Sequence, residues 1–163
     1  IMGLIMMIAF KFGWAKPVPV SMRNFRKPKR DMAICALAGP VSNVIICCVF
    51  LFIFGICYKP LYTKGTAFAD SLMQMIYTTA YLSLALAIFN IIPIPPLDGS
   101  KVLFSVMSNE SYYKLMRYEK YGMIILLVLV ATNILGTPLH TVTEFLFDKL
   151  FVFADWGFRL VSA

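Results

Sequence analysis

Two uncharged, predominantly apolar runs organise the chain, Ala33 to Tyr58 and Ser71 to Leu97. Each exceeds the roughly 20 residues that a helix needs to cross a bilayer core, and they predict spanning helices over about 33–58 and 71–92. A third uncharged run, Tyr121 to Leu139, is rich in Leu, Val and Ile. Gly136 and Pro138 end it near the minimum length, so the expected span covers about 121–137. Residues Ile1 to Phe10 are apolar but too few to cross, and read as the tail of a longer helix that starts upstream. Between that tail and the first full span, Pro17 and Pro19 forbid helix, and 13–31 is expected to be extended. The last segment, about 144–161, interleaves Phe145, Phe147, Phe151, Phe153, Trp156 and Phe158 with Asp148, Lys149, Asp155 and Arg159. That mixture suits a helix lying at the membrane interface.

Composition moves the picture in the same direction. With 60% hydrophobic and 14% charged residues, the 163 residues read as a single transmembrane domain, an all-α integral membrane protein rather than a water-soluble one. The formal charge of +7 does not indicate nucleic acid, because the basic residues interrupt apolar runs and lack the aromatic and Gly signals of a binding sheet. It indicates topology. Lys16, Arg23, Arg26, Lys27, Lys29 and Arg30 precede the first full span, against Lys59 and Lys64 in the next loop. By the positive-inside rule the first connection is cytoplasmic, and Asn90 to Gly99 returns to the cytoplasmic side. The basic run also has affinity for anionic lipid headgroups. Cys35, Cys47, Cys48 and Cys57 form no CxxC pair and have no His at metal spacing, so they read as free thiols.

The segment Asn90-Ile91-Ile92-Pro93-Ile94-Pro95-Pro96-Leu97-Asp98-Gly99 ends an apolar helix with three prolines. Without N–H donors the helix must unwind there, and unwound backbone near membrane depth is tolerated where protein buries it or a wet cavity adjoins it. Asp98 follows directly. A carboxylate on rigid, unwound backbone at the membrane is suited to holding a cation, although local physics alone favours its N-capping a short helix beginning at Gly99-Ser100-Lys101.

Asn90, Pro93, Pro95 and Leu97-Asp98-Gly99 together resemble the NxxPxPxLDG signature of the site-2 protease family, intramembrane zinc metalloproteases of peptidase family M50. Two further blocks carry the resemblance. Gly13-Trp14-Ala15-Lys16-Pro17-Val18-Pro19-Val20 with Lys29-Arg30-Asp31-Met32-Ala33 is similar to the connection before the middle core helix in a bacterial branch of the family. Ala38-Gly39-Pro40-Val41-Ser42-Asn43 is similar to that helix's Gly-Pro-x-x-Asn motif. In order and at suitable spacing, the blocks cover about the first 105 residues.

The resemblance implies a helical core around a zinc ion held by two histidines of an HExxH motif and the LDG aspartate, with one coordination position open for reaction. It makes Asp98 the third zinc ligand. It places Asn43 against the zinc as a donor to the substrate carbonyl or oxyanion, with an interhelical hydrogen bond as the equal alternative. Asn90 has the same pair of readings, and the structural one is favoured. Val18 and Val20 would keep their N–H donors on one edge of an extended strand, where a substrate could add by β-augmentation; a plain surface loop is the alternative. HExxH is absent, and the sole histidine, His140, has no i, i+4 histidine partner. The expectation is therefore an HExxH-bearing segment missing from the N-terminal side, and a chain inert alone. The implied activity is proteolysis of transmembrane protein substrates within the bilayer, in a bacterial inner membrane. A non-catalytic pseudoprotease or membrane-helix-binding scaffold is the alternative, and an ion-coupled transporter with Asp98 as its ion site is a more distant one.

Overall fold

The computed structural model describes residues 25–63, 65–107 and 121–162. They form six helices and, among the described residues, no strand: α1 Pro28–Tyr62, α2 Ala67–Ile91, α3 Asp98–Val106, α4 Tyr121–Ala131, α5 Gly136–Leu150 and α6 Val152–Ser162. The chain is an all-α integral membrane protein, with α1 and α2 long and apolar enough to cross a bilayer and the bent α4–α6 segment as a third candidate.

Helix α1 starts earlier than the extended segment expected over 13–31 allows. Pro28 opens it, where a missing N–H costs nothing and the fixed φ is helical, and the Asp31 carboxylate accepts the Lys27 N–H at 3.0 Å. The remainder of that segment and the expected helix tail 1–10 lie outside the described residues. At 35 residues α1 is about 52 Å long, so its ends overrun a hydrocarbon core of about 30 Å. Helix α2 is capped by Thr66, whose hydroxyl accepts the Ala69 N–H at 3.3 Å. It stops at Ile91 because Pro93, Pro95 and Pro96 cannot continue the ladder, and Ile92, the last non-proline residue before them, is already extended at ψ 129°.

The run expected as one helix over 121–137 breaks after Ala131. Thr132 to Leu135 form a turn, Asn133 adopts the left-handed region at φ 55°, and the helices on either side are bent by 82°. Asn tolerates that conformation because its short polar side chain can bond locally. The helix expected at the interface over 144–161 is likewise divided, at Phe151, and packs into the bundle. Phe147, Phe151, Ala154 and Phe158 recur at i, i+4, i+7 and i+11, an apolar stripe that turns inward. Phe147 meets Tyr77 and Tyr81 edge-on with centroids 5.3 and 5.4 Å apart, and Phe151 meets Phe54 at 6.2 Å. The core is completed by Cys47, Leu51, Ala80, Leu84 and Ala154. Helix α6 reaches α1 through glycines: a Cβ at Gly55 would collide with the Ala154 carbonyl, and one at Gly157 with the Phe52 carbonyl. Outside, Ile34, Val41, Ile45 and Val49 of α1 and Ile124, Ile125, Leu127, Val128 and Val130 of α4 are exposed, as a lipid-facing surface requires. All four cysteines are free thiols.

Candidate active site

The unwound stretch after α2 keeps its shape through local bonds. The N–H groups of Ile92, Ile94 and Leu97 donate to the carbonyls of Phe89, Ile92 and Ile94 at 3.2, 2.8 and 2.9 Å. The Pro95–Pro96 peptide bond is cis. Leu97 is buried, and its carbonyl accepts both the N–H and the hydroxyl of buried Ser100, at 3.2 and 2.7 Å. Gly99 lets the start of α3 lie directly on the carbonyls of Ile91 and Ile92, where any Cβ would overlap them. Helix α4 closes over the same turn, with Gly122 pressed on Pro95. The far end of α3 is tied to the start of α1, the Lys29 ammonium donating to the Met107 carbonyl at 2.7 Å.

This frame aims Asp98 at α1. The N-cap of α3 is Leu97 and Asp98 is the first helical residue, so the carboxylate is not serving as the cap that a purely structural role would require. Its Oδ2 lies 3.3 Å from the position a Cβ would take on Gly39, and its Oδ1 accepts from Lys101 Nζ at 3.0 Å. Both side chains are about one third exposed, at 32% for Asp98 and 38% for Lys101, so screening leaves the ion pair little net stabilisation. The structure thus brings together two of the three blocks singled out from the sequence, the LDG turn and the Gly-Pro-x-x-Asn stretch. Asn43 is half-buried one turn beyond Gly39, on the same face of α1. Asn90 is half-buried in the last turn of α2. Val18 and Val20 lie outside the described residues.

Beside Asp98 opens a cleft of about 320 Å³, walled by Ala36, Leu37 and Pro40 of α1, Ile91 at the end of α2 and Pro93 beyond it, and Val102, Leu103 and Val106 of α3. Pro40 lacks the N–H that would have bonded the Ala36 carbonyl, which leaves that carbonyl without its usual helical donor next to the cleft.

As a zinc site the arrangement is partial. Asp98 has the right donor chemistry, a rigid backbone and partial shelter, but a closed site takes three or four protein ligands. Among the described residues no three His, Cys, Asp or Glu side chains come together. His140 is exposed on α5 and pairs with Glu144, Nδ1 to Oε2 at 3.3 Å. The described residues therefore offer such a set one fitting ligand, Asp98. Sequence reasoning gave Lys29 a topological role and not its bond to Met107, and it did not single out Lys101 or the contact of Gly122 with Pro95. For Gly122 the only available signal was a glycine opening an apolar helix.

Residues 57–135 match the model of peptidase family M50, a stretch that contains Asn90 to Gly99. Over 130 residues the chain is 35% identical to "Putative zinc metalloprotease YwhC" of Bacillus subtilis, covering 80% of this chain and 59% of that protein. It is 36% identical over 105 residues to "Putative zinc metalloprotease MJ0611" of Methanocaldococcus jannaschii, covering 63% of this chain and 49% of that protein. It is 26% identical over 137 residues to "Putative zinc metalloprotease Rip2" of Mycolicibacterium smegmatis, covering 82% and 48%. The chain thus spans about half the length of these relatives, or somewhat more. No solved structure gives a significant match. An aspartate carried on a proline-broken turn and turned toward a Gly-Pro-x-x-Asn helix agrees with these similarities to peptidase family M50 and to proteins named as putative zinc metalloproteases.

Proposed function

We propose that these residues form the aspartate-bearing part of a zinc-dependent intramembrane protease, which hydrolyses peptide bonds of transmembrane protein substrates. The observation that carries the reading is the Asp98 carboxylate, held by the Leu97–Ser100 turn and directed at Gly39 beside an open cleft. Asp98 is one zinc ligand, and two histidines of an HExxH segment outside these 163 residues supply the others. Bound zinc contributes Lewis-acid chemistry to peptide hydrolysis. Asn43 donates its amide to the substrate carbonyl or to the charge that develops on it. Asn90 supports the unwound turn at the substrate's edge, and Val18 and Val20 present strand donors to which an unwound substrate adds. The basic residues around the start of α1 support a cytoplasmic side for the LDG turn by the positive-inside rule, and the membrane we propose is a bacterial inner membrane.

The test is made in the full-length protein. Asp98→Asn removes the charged donor with little change in volume. It is expected to abolish cleavage of a single-span peptide and to lower bound zinc, while the thermal midpoint in detergent stays within a few degrees. Undiminished cleavage by that variant overturns the reading. A non-catalytic scaffold that binds membrane helices is the second reading, in which the pairing of Asp98 with Lys101 at 3.0 Å is purely structural. Zinc analysis of the full-length protein separates the two, because a scaffold holds no stoichiometric metal.

A further inference from the structure

A second cavity lies where α6 crosses α1, far from Asp98. Phe54, Gly55 and Tyr58 of α1 line it together with Phe151, Asp155 and Phe158, around a space of about 380 Å³ that falls within the range of small-ligand sites. Gly55 is 16 residues beyond Gly39, about 24 Å further along the helix. Phe151, Phe54, Tyr58 and Phe158 follow one another as a chain of rings with centroids 6.2, 6.1 and 6.0 Å apart, and the first and last pairs meet edge-on. Tyr58 and Phe158 remain 41% and 40% exposed, so a ligand can reach the rings. Asp155 is the only charged residue in the lining. Its exposed carboxylate makes no hydrogen bond or ion pair among the described residues, although Arg159 stands one turn along the same helix.

We infer that this cavity holds the headgroup of an aminophospholipid, with its ammonium between Asp155 and the rings. A carboxylate beside several aromatic rings complements a cation, because ring faces attract positive charge. Depth makes the cation a lipid's. Tyr58 closes the uncharged run of α1 and Lys59 follows it, which sets the cavity at headgroup level, where Tyr and Trp collect; exposed Trp156 adjoins Asp155 there. From that level the exposed stripe of Ile53, Val49 and Ile45 on α1 leads toward the bilayer centre and offers acyl chains an apolar track. Charge then selects among lipids. Lys59 and Arg159 directly follow the lining residues Tyr58 and Phe158, are exposed, and form no ion pair among the described residues. They suit the phosphate of a headgroup whose ammonium meets Asp155. A purely anionic headgroup would satisfy the two bases but leave the rings and Asp155 without a cation. The inference does not rest on the protease reading of Asp98.

The experiment takes the full-length protein in detergent and uses native mass spectrometry to count the lipids it retains from mixtures of phosphatidylethanolamine and phosphatidylglycerol with identical acyl chains. A single phosphatidylethanolamine is expected, held about tenfold more tightly than phosphatidylglycerol. Asp155→Asn changes an exposed, unpaired side chain, and is expected to abolish that preference with an unchanged thermal midpoint. Phe158→Leu keeps apolar bulk, removes one ring and is expected to weaken the preference. Equal retention of the two lipids by the wild type, or an undiminished preference in Asp155→Asn, overturns the site. Ethanolamine and a lysine-containing peptide, each added at the lipid's concentration, identify the source of the ammonium. Neither is expected to displace the lipid; displacement by either overturns the lipid assignment in favour of a free amine or a protein side chain.

Discussion

The Asp98 carboxylate stands close against Gly39, its Oδ2 being 3.3 Å from the position that a Cβ there would take. Gly39 lies in the interior of a 35-residue helix, where glycine is less favourable than alanine by about 1 kcal/mol. A helix interior does not ask for glycine, whereas the close approach of Asp98 favours it. Gly39→Ala is therefore expected to leave stability unchanged or slightly higher while shifting the carboxylate by a few tenths of an ångström. Supporting groups that orient a metal ligand typically alter affinity by about 10- to 100-fold, and a loss near tenfold in zinc affinity is expected in the full-length protein. Competition with a chelator measures it, alongside a thermal melt. Wild-type zinc affinity in Gly39→Ala would show that the contact is incidental.

Gly99 makes the converse demand, on the backbone. Its Cα lies against the carbonyls of Ile91 and Ile92, neither of which can rotate away as a flexible side chain could. Gly99→Ala must move either α3 or the end of α2, at about 1–3 kcal/mol, the usual cost of overpacking. The expected signature is a lower thermal midpoint in detergent together with loss of zinc. Asp98→Asn should show only the second. A Gly99→Ala protein that melts with the wild type would mean that α3 is not seated on those carbonyls.

Much of this was legible in the sequence, and the reasons differ by element. The two main spans were visible because α1 and α2 carry no charge over their central residues, and the end of α2 because Pro93, Pro95 and Pro96 remove donors. The pairing of the LDG turn with Gly39 was reachable only through the resemblance, since nothing local in either block names the other. The break after Ala131 was hidden: Thr132 to Leu135 contain neither Gly nor Pro, and Asn133 adopts its left-handed φ without a pattern that periodicity can detect. The inward packing of 144–161 was masked by Asp148, Lys149, Asp155 and Arg159. These sit between the stripe residues and gave the segment an interfacial look.

Lys29 links the start of α1 to the end of α3, its ammonium donating to the Met107 carbonyl at 2.7 Å. A cation there also meets the negative end of the α3 dipole. Lys29→Met keeps the aliphatic stem and removes both interactions, which together are expected to stabilise α3 by about 1 kcal/mol. The effect is local, so hydrogen exchange suits it best: amides of Phe104 to Val106 should exchange about fivefold faster, and those of α2 should not change. Equal exchange in α3 would remove Lys29 from the set of residues that position Asp98.

Helix α6 offers the last test, because its place in the bundle depends on two glycines and not on hydrophobic force. Within a bilayer, lipid tails are as apolar as leucine, so helices associate through close packing of small residues. Gly55 accepts the Ala154 carbonyl and Gly157 accepts the Phe52 carbonyl, contacts that leave no room for a Cβ on either side. Gly157→Leu adds apolar bulk, which would count as stabilising in a water-soluble core. Here it must push α6 off α1 and open the Phe54–Phe151 and Tyr58–Phe158 ring contacts, now at 6.2 and 6.0 Å between centroids. A loss of about 1–3 kcal/mol is expected, read as unfolding at lower denaturing-detergent fraction, while Val49→Leu on the lipid face stays neutral. Should Gly157→Leu unfold with the wild type, α6 is not packed on α1 as described, and the interfacial placement expected from its charges would be restored.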